Sequence, residues 1–460
     1  MKRWQAILAT GLFATATAIV AIFLIIHRKK KESELPTVSP ASEETDAFEK
    51  TQKHAVRFTA SLLRKTRPQS PTGRFVSHFA GANYLGTTAN PFAVAISPID
   101  RSIRSLDLHP DCTEIAVYAF ENCEKLESVT IPSGLSTVGF GAFGGCTSLD
   151  RVEISDLAAW CKIDFNCRAE NYSANPLCYA DKLIINGENA IEIEIPEGVK
   201  SLPCCAFSTS GLKSITLPST LTEIGSFAFD NCYRLQSICI PASVKRIGAS
   251  VFYGCIGLRE ITVQDGNPVY HASGNCLIKT KAQALVAGCA ASEIPDDGSV
   301  ISIDAQAFSG CERLSKLVVP ASITSIGASA FFGCTDLKEL SIALHEKTSH
   351  LGEIFATDSD LDRAYFVPRK LKNITLTGEE IPAWSMRECD GLVHATIGAT
   401  VNRIGAGAFE GCTRLTNVVF ETPDGWTANE TAVSADELAN PSAAATYLTK
   451  TYSQNAWERK

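Results

Sequence analysis

The chain has 460 residues, 45% of them apolar and 20% charged, and a formal net charge of −8. That balance excludes a largely disordered polymer. The scattered acidic surplus argues against a nucleic-acid partner, which needs a basic face. The 17 cysteines are an odd number, so at least one thiol has no partner within the chain.

Ala6 to Ile26 reads AILATGLFATATAIVAIFLII, 21 residues without a charge. That is the length of a bilayer-spanning helix. It is read as an uncleaved anchor, because cleavage within Ala14–Ala18 would leave the apolar run Ile19–Ile26 at the new N-terminus. A cleaved signal is the alternative. Lys2 and Arg3 precede the span and Arg28, Lys29, Lys30 and Lys31 follow it. Counted by the positive-inside rule, the following flank is cytoplasmic. Residues 1–31 are therefore read as a membrane anchor with a basic flank. Residues 32–99 are read as a linker, opening with the polar ESELPTVSPASEETDAFEK. Within it a short helix is predicted over 46–66, carrying Phe48, Val56, Leu62 and Leu63 and stopped by Pro68 and Pro71.

From residue 100 the chain becomes periodic. Cys123 and Cys146, Cys232 and Cys255, Cys311 and Cys334, and Cys389 and Cys412 are each 23 residues apart. IGASVFYGC, IGASAFFGC and IGAGAFEGC end at Cys255, Cys334 and Cys412. A fixed period of this size predicts a solenoid. In the unit from Cys232, Ile238 and Ile240 alternate with polar or small neighbours, as in a strand with one buried face. Pro241 ends that strand, since it offers no N–H. Val244 and Ile247 point inward on the return path, Gly248 suits a turn, Phe252 fills the coil centre, and Cys255 closes the unit as a small buried hydrophobe. One coil leaves its edges and faces open, so each must present the same surface to its neighbour. The predicted fold is an α/β-type solenoid over 100–421 with one stacked sheet of short parallel strands. Met386 stands where the repeat places Phe. The period breaks near 155–190, 264–292 and 343–370, which are read as loops or small inserted hairpins. Residues 422–460 are read as a C-terminal cap rich in aromatics, with a helix from about Pro441 to Tyr452 opened by Asn440.

The unit C-x-x-L-x-x-I-x-[LI]-P-x-x-[LV]-x-x-I-G-x-x-A-F-x-x-C resembles the BspA-like leucine-rich repeats of bacterial surface proteins and some protists. The resemblance covers residues 100–460. The first insert, from DLAAWCKIDF, and the terminal NPSAAATYLTKTYSQNAWERK are similar to recurring family elements. The resemblance implies a leucine-rich-repeat array and a role in adhesion or protein recognition at a cell surface, with no catalytic residues to carry over.

No catalytic motif, cofactor site or metal site is read from the sequence. The cysteines recur at the repeat length and not as C-x-x-C pairs with nearby histidines. They are read as reduced core thiols, a disulfide between stacked neighbours such as Cys232 and Cys255 being the alternative. His271 with Cys276 is a conceivable Cys–His pair, weighed against an inserted hairpin. The candidate binding face is the outward strand column: Thr130, Glu153, Glu194, Thr216, Thr262, Ser341, Thr375 and Thr396, with Cys239, Val318 and Val419 at equivalent positions. A merely solvated sheet is the alternative, because threonine favours strands on propensity alone. The expected function is a membrane-tethered, non-catalytic scaffold binding a protein or surface ligand, with no nucleic acid among its partners. The expected location is a single-pass membrane protein with its repeats outside the cytoplasm. A scaffold on the cytoplasmic side is the alternative, and an enzyme hidden in an insert ranks behind both.

Overall fold

The computed structural model describes residues 75–166, 174–344, 351–355 and 367–460. The span Ala6–Ile26 and the helix predicted over 46–66 lie outside the described residues. Among the described residues no helix is long and apolar enough to cross a membrane. The chain forms two compact units, one reaching Ala180 and including Ile184–Gly187, the other comprising Asp181–Leu183 and Glu188–Lys460.

Most coils begin with the expected strand. In Ser237–Ile240, Ile238 and Ile240 are buried while Ser237 and Cys239 are exposed. The strand pairs in parallel with Glu260–Val263, setting Ile238 beside Ile261 and Ile240 beside Val263. Further along the second unit, Lys316–Val318, Glu339–Ala343, Asn373–Thr377, His394–Ile397 and Asn417–Phe420 are five successive parallel rungs. In the first unit Ser105–Asp107, Ser128–Ile131 and Arg151–Ile154 repeat the arrangement.

The expectation of an α/β-type coil with one sheet is corrected by the return path. That path carries a second parallel ladder of two-residue strands, such as Ser201–Leu202, Glu223–Ile224 and Arg246–Ile247. Stacked turns follow it where a helix would complete an α/β coil. The fold is thus a β-solenoid. The backbone explains why. Ser250 and Gly254 both have positive φ, as do Phe227 and Asn231 in the preceding coil. Two left-handed residues four apart prevent a continuous helix. They aim alternate N–H groups along the stack: Phe227 N donates to Ala249 O at 3.1 Å and Phe229 N to Val251 O at 3.1 Å. The intervening N–H groups close local turns, as Tyr253 N does on Ser250 O at 3.1 Å.

The turn assigned to Gly248 is corrected too. The left-handed positions fall two and six residues later, whereas a Cβ on Gly248 would lie 2.3 Å from Ser226 N of the neighbouring coil. Gly225, Gly327 and Gly405 meet the same obstacle. The glycine is there so that two backbones can touch.

Aromatic rings form the axis of the core. Phe229 stacks between Phe207 and Phe252 at 6.1 and 5.9 Å, and Phe120 stacks on Phe143 at 5.6 Å. The inserts rejoin this frame. In the first unit, Asp156 caps the helix Leu157–Trp160, and Asp164 bonds to both Ser136 and Val138, extending the short-strand ladder. In the second unit, Tyr270–Ser273 and Cys276–Lys279 form an antiparallel hairpin, and Ala284–Ala287 returns the chain to the short-strand ladder beside Ser302–Ile303. Phe355, at the end of the 3₁₀ turn Leu351–Ile354, packs its ring 5.8 Å from Phe331 and so continues the aromatic column.

Both described ends are closed. The linker expected over 32–99 is corrected across Phe75–Pro98, where three antiparallel strands lead into the first coil, Val94–Pro98 pairing in parallel with Glu114–Ile115. Their sequence alternates weakly, so strand periodicity was hidden in ANYLG. Tyr84 is buried there and its hydroxyl accepts from His109 N at 3.1 Å. At the other end, Asn440 caps the helix Pro441–Thr446 through Ser442 N and Ala443 N, and a π-helical turn continues it over Tyr447–Thr451. This helix packs on the last long strand, Asn417–Phe420. Trp457–Arg459 adds antiparallel to Arg403–Ile404, and Trp426–Ala428 and Thr431–Ala432 continue the sheet beyond it, so antiparallel strands cover the last parallel rung of the short ladder.

Candidate functional site

Strand register decides which side chains face outward together. In the first unit Thr130 pairs with Asp107 on one side and Glu153 on the other. Thr130 Oγ1 donates to Asp107 Oδ1 at 2.7 Å, and Glu153 accepts from Arg151 Nε at 2.8 Å. In the second unit Glu194 lies beside Thr216, and Cys239 beside Thr262. Val318, Ser341, Thr375, Thr396 and Val419 occupy five consecutive rungs. All eleven positions are half-buried or exposed, and all but Glu194, beside the half-buried Ile193, neighbour a buried aliphatic residue on the same strand. Thr130 and Glu153 belong to one unit and the remaining positions to the other.

The face is short of charge at its centre and carries it where the strands begin. Lys316 and Glu339 pair there at 3.4 Å, and Lys213 and Glu192 at 3.3 Å. A depression of about 780 Å³ opens beside the same strand starts, lined in part by Lys213, Ser237 and Glu260. Sequence reasoning passed over this margin. The signal that finds it is the repeat itself: Lys213, Gln236 and Arg259 are 23 residues apart and precede successive strands.

His271 and Cys276 do not form a nucleophile–base pair. His271 Nδ1 bonds Thr280 Oγ1 at 2.9 Å, while the buried Cys276 thiol, pushed up to about 12 by burial, faces the Gly274 carbonyl at 3.5 Å. Among the described residues no three His, Cys, Asp or Glu side chains gather as metal ligands. The coil-closing cysteines Cys146, Cys232, Cys255, Cys311, Cys334 and Cys412 are free thiols.

Parallel rungs, an inward aromatic column and the backbone-contact glycines Gly139, Gly225, Gly248, Gly327 and Gly405 define a β-solenoid repeat protein. The chain belongs to the BspA-type leucine-rich-repeat family, whose repeat region, described as "BspA type Leucine rich repeat region", matches residues 100–171, 184–297, 282–376 and 362–428 in six copies. Similar solved structures include a leucine rich cell surface protein from Faecalibacterium prausnitzii A2-165, with 26% identity, 77% of this chain and 96% of that chain covered, and a TM-score of 0.49. A leucine-rich repeat protein from Bacteroides ovatus ATCC 8483 is 21% identical over 77% of this chain and 88% of that one, at a TM-score of 0.38. The pneumococcal vaccine antigen PcpA is 17% identical over 78% and 82%, at 0.38. No curated protein matches the chain.

Proposed function

We propose that this protein is a non-catalytic recognition scaffold, tethered to a membrane by residues 1–31 and displaying its repeats outside the cell to bind a protein or surface ligand. The observation that carries the reading is the outward column. Repeated coils with a common core hold Ser341, Thr375 and Thr396 in one solvent-facing row. Such a row offers a partner a rigid, preorganised surface at little entropic cost. Glu194, Thr216 and Thr262 belong to the proposed face of the second unit, and Thr130 and Glu153 occupy the equivalent outward positions of the first. The uncharged run Ala6–Ile26 and the polar segment after it supply tether and spacer in this reading. Membership of the BspA-type family supports surface recognition. Residues 100–421 are the proposed recognition array and 422–460 its cap.

A second reading places the same scaffold on the cytoplasmic face. Arg28, Lys29, Lys30 and Lys31 favour it, as do the free coil-closing thiols, which persist best in a reducing compartment. Protease shaving of intact cells separates the two. External display predicts loss of the repeat region alongside a known surface protein. Survival of the repeats while that control is stripped selects the cytoplasmic reading.

A further inference from the structure

We propose that the depression beside the strand starts of the second unit is a docking site for an acidic peptide segment of a partner protein, one that carries apolar side chains among its carboxylates. The proposal goes beyond general recognition by naming a place and a ligand chemistry.

The site is built by the repeat. Arg234, Gly257 and Arg313 each precede the core leucine of their coil: Leu235, Leu258 and Leu314. The coils adjoin, since a Cβ on Gly310 would meet Gly254 N at 2.3 Å. Arg234, Gly257 and Arg313 line the same depression. Gly257 has no side chain, and one would strike Tyr233 O at 2.6 Å and Leu235 O at 3.0 Å. The gap is therefore structural, and Gly257 lines the 780 Å³ depression. Arg259 is held at its wall, its Nη1 donating to Ile256 O at 3.2 Å and Leu258 O at 3.1 Å.

Charge sets the ligand class. Lys213, Arg234, Arg259 and Arg313 line the depression against one carboxylate, Glu260, in a chain whose net charge is −8. Lys213 is paired with Glu192. Asp336, near enough to Arg313 to be influenced by it, is already bonded to Lys370. Guanidinium forks recognise carboxylates in two-point geometry. Apolar surface then chooses among anions. Ile191 and Tyr233 are each 42% exposed on the rim, and the Arg234 guanidinium lies 5.9 Å from the Tyr233 ring centre. A polymer of sulfates or phosphates leaves these two surfaces uncovered. A peptide that mixes acidic and apolar side chains covers them and meets the arginines.

The test is fluorescence anisotropy on the full chain in non-ionic detergent, with a labelled peptide alternating Glu and Leu, its Gln-for-Glu analogue, and dextran sulfate as competitor. The expected result is binding of the acidic peptide that weakens with added salt. The Gln analogue and the R234Q/R313Q double variant should each weaken it about tenfold. Tyr233→Ala should weaken it about threefold or more. These side chains are exposed, so an unchanged circular dichroism spectrum is expected to accompany the loss. Equal affinity for the Glu and Gln peptides, or no response to R234Q/R313Q, overturns the proposal. So does dextran sulfate binding that requires the arginines and ignores Tyr233→Ala, which would make the site a polyanion groove. The measurement is independent of which side of a membrane the repeats occupy.

Discussion

Cys255 Sγ donates to the carbonyl oxygen of Phe229, 3.0 Å away in the preceding coil. The same contact joins Cys232 to Phe207 at 3.1 Å, Cys334 to Phe308 at 3.3 Å, and Cys146 to Phe120 at 3.3 Å. Cys412 makes it to Met386 O at 3.0 Å, so the backbone and not the aromatic ring defines the acceptor. Each of these carbonyls already accepts one backbone N–H, as Phe229 O does from Cys232 N at 3.1 Å. The thiol supplies a further donor to a buried oxygen, the second one except at Phe207 O, which also accepts from Ser210 Oγ at 2.6 Å. Alanine of nearly the same size cannot perform that task. That accounts for cysteine in particular closing the coil.

Burial pushes the Cys334 and Cys412 thiols up to about 12 and raises Cys255 and Cys311 strongly. Thiolate is the reactive form, so these sulfurs should resist reagent until the array unfolds. Cys239 is exposed on the outward face. Brief maleimide treatment of native protein, read by peptide mapping, should label Cys239 and leave Cys232, Cys255, Cys311 and Cys334 unmodified. Rapid labelling of those four would contradict their placement.

Phe229→Ala removes a fully buried ring flanked on both sides by stacked phenyl groups. The expected loss is about 3–5 kcal/mol, since neighbouring coils are pinned by their ladders and cannot collapse into the cavity. Denaturant titration measures it. A midpoint equal to that of the unmodified protein would place Phe229 outside the column.

Gly248→Ala adds one carbon where Ser226 N lies 2.3 Å away. Two coils would have to separate locally, breaking Gly248 N to Ile224 O, a 2.9 Å bond. The expected cost is about 1–3 kcal/mol, although the backbone dihedrals suit alanine. A stabilising effect, as removal of a glycine from a simple loop gives, would show that the close approach is absent.

Asp230 is 7% exposed, and its carboxyl is raised to about 7 by burial and then by the nearby Cys205. Asn231 Nδ2 donates to it at 3.2 Å, which offsets part of that shift. The folded chain keeps a proton that the unfolded chain releases above its ordinary value of 3.8. Stability from this residue is therefore complete below about pH 4 and declines as pH rises to about 7, by on the order of 4 kcal/mol. Asp230→Asn should flatten that slope and stabilise the protein at neutral pH. Parallel pH–stability curves for the two proteins would refute this account.

Ending the chain after Thr422 removes Trp426 and Trp457, whose rings lie 5.4 and 6.3 Å from Phe420, and the helix over Asn417–Phe420. The last strand and its core would face water, and an open strand edge recruits other chains. Aggregation is expected, measured by light scattering. A monodisperse truncated protein with unchanged melting would show that residues 423–460 do not cap the array.

The repeat was legible because a stacked coil makes the same demand at the same place every 23 residues. Period, inward strand residues, the Phe column and the outward row of Ser341, Thr375 and Thr396 follow from spacing and alternation alone, as does the Asn440–Pro441 helix start. What spacing cannot express is what touches across coils. The role of Gly248 depends on Ser226, the Cys255 thiol on the Phe229 carbonyl, and the left-handed pairs on peptide groups one coil away. The strands Phe75–Pro98 were hidden because they lack the repeat's pattern and gain their partner only where Val94 meets Glu114. The arginine-lined depression was hidden for the same reason, because Arg234 and Arg313 are 79 residues apart in sequence and the insert between them adds its own strands to the short ladder. Contacts along the solenoid axis join residues whose sequence separation varies with each insertion, and only the folded chain specifies which of them meet.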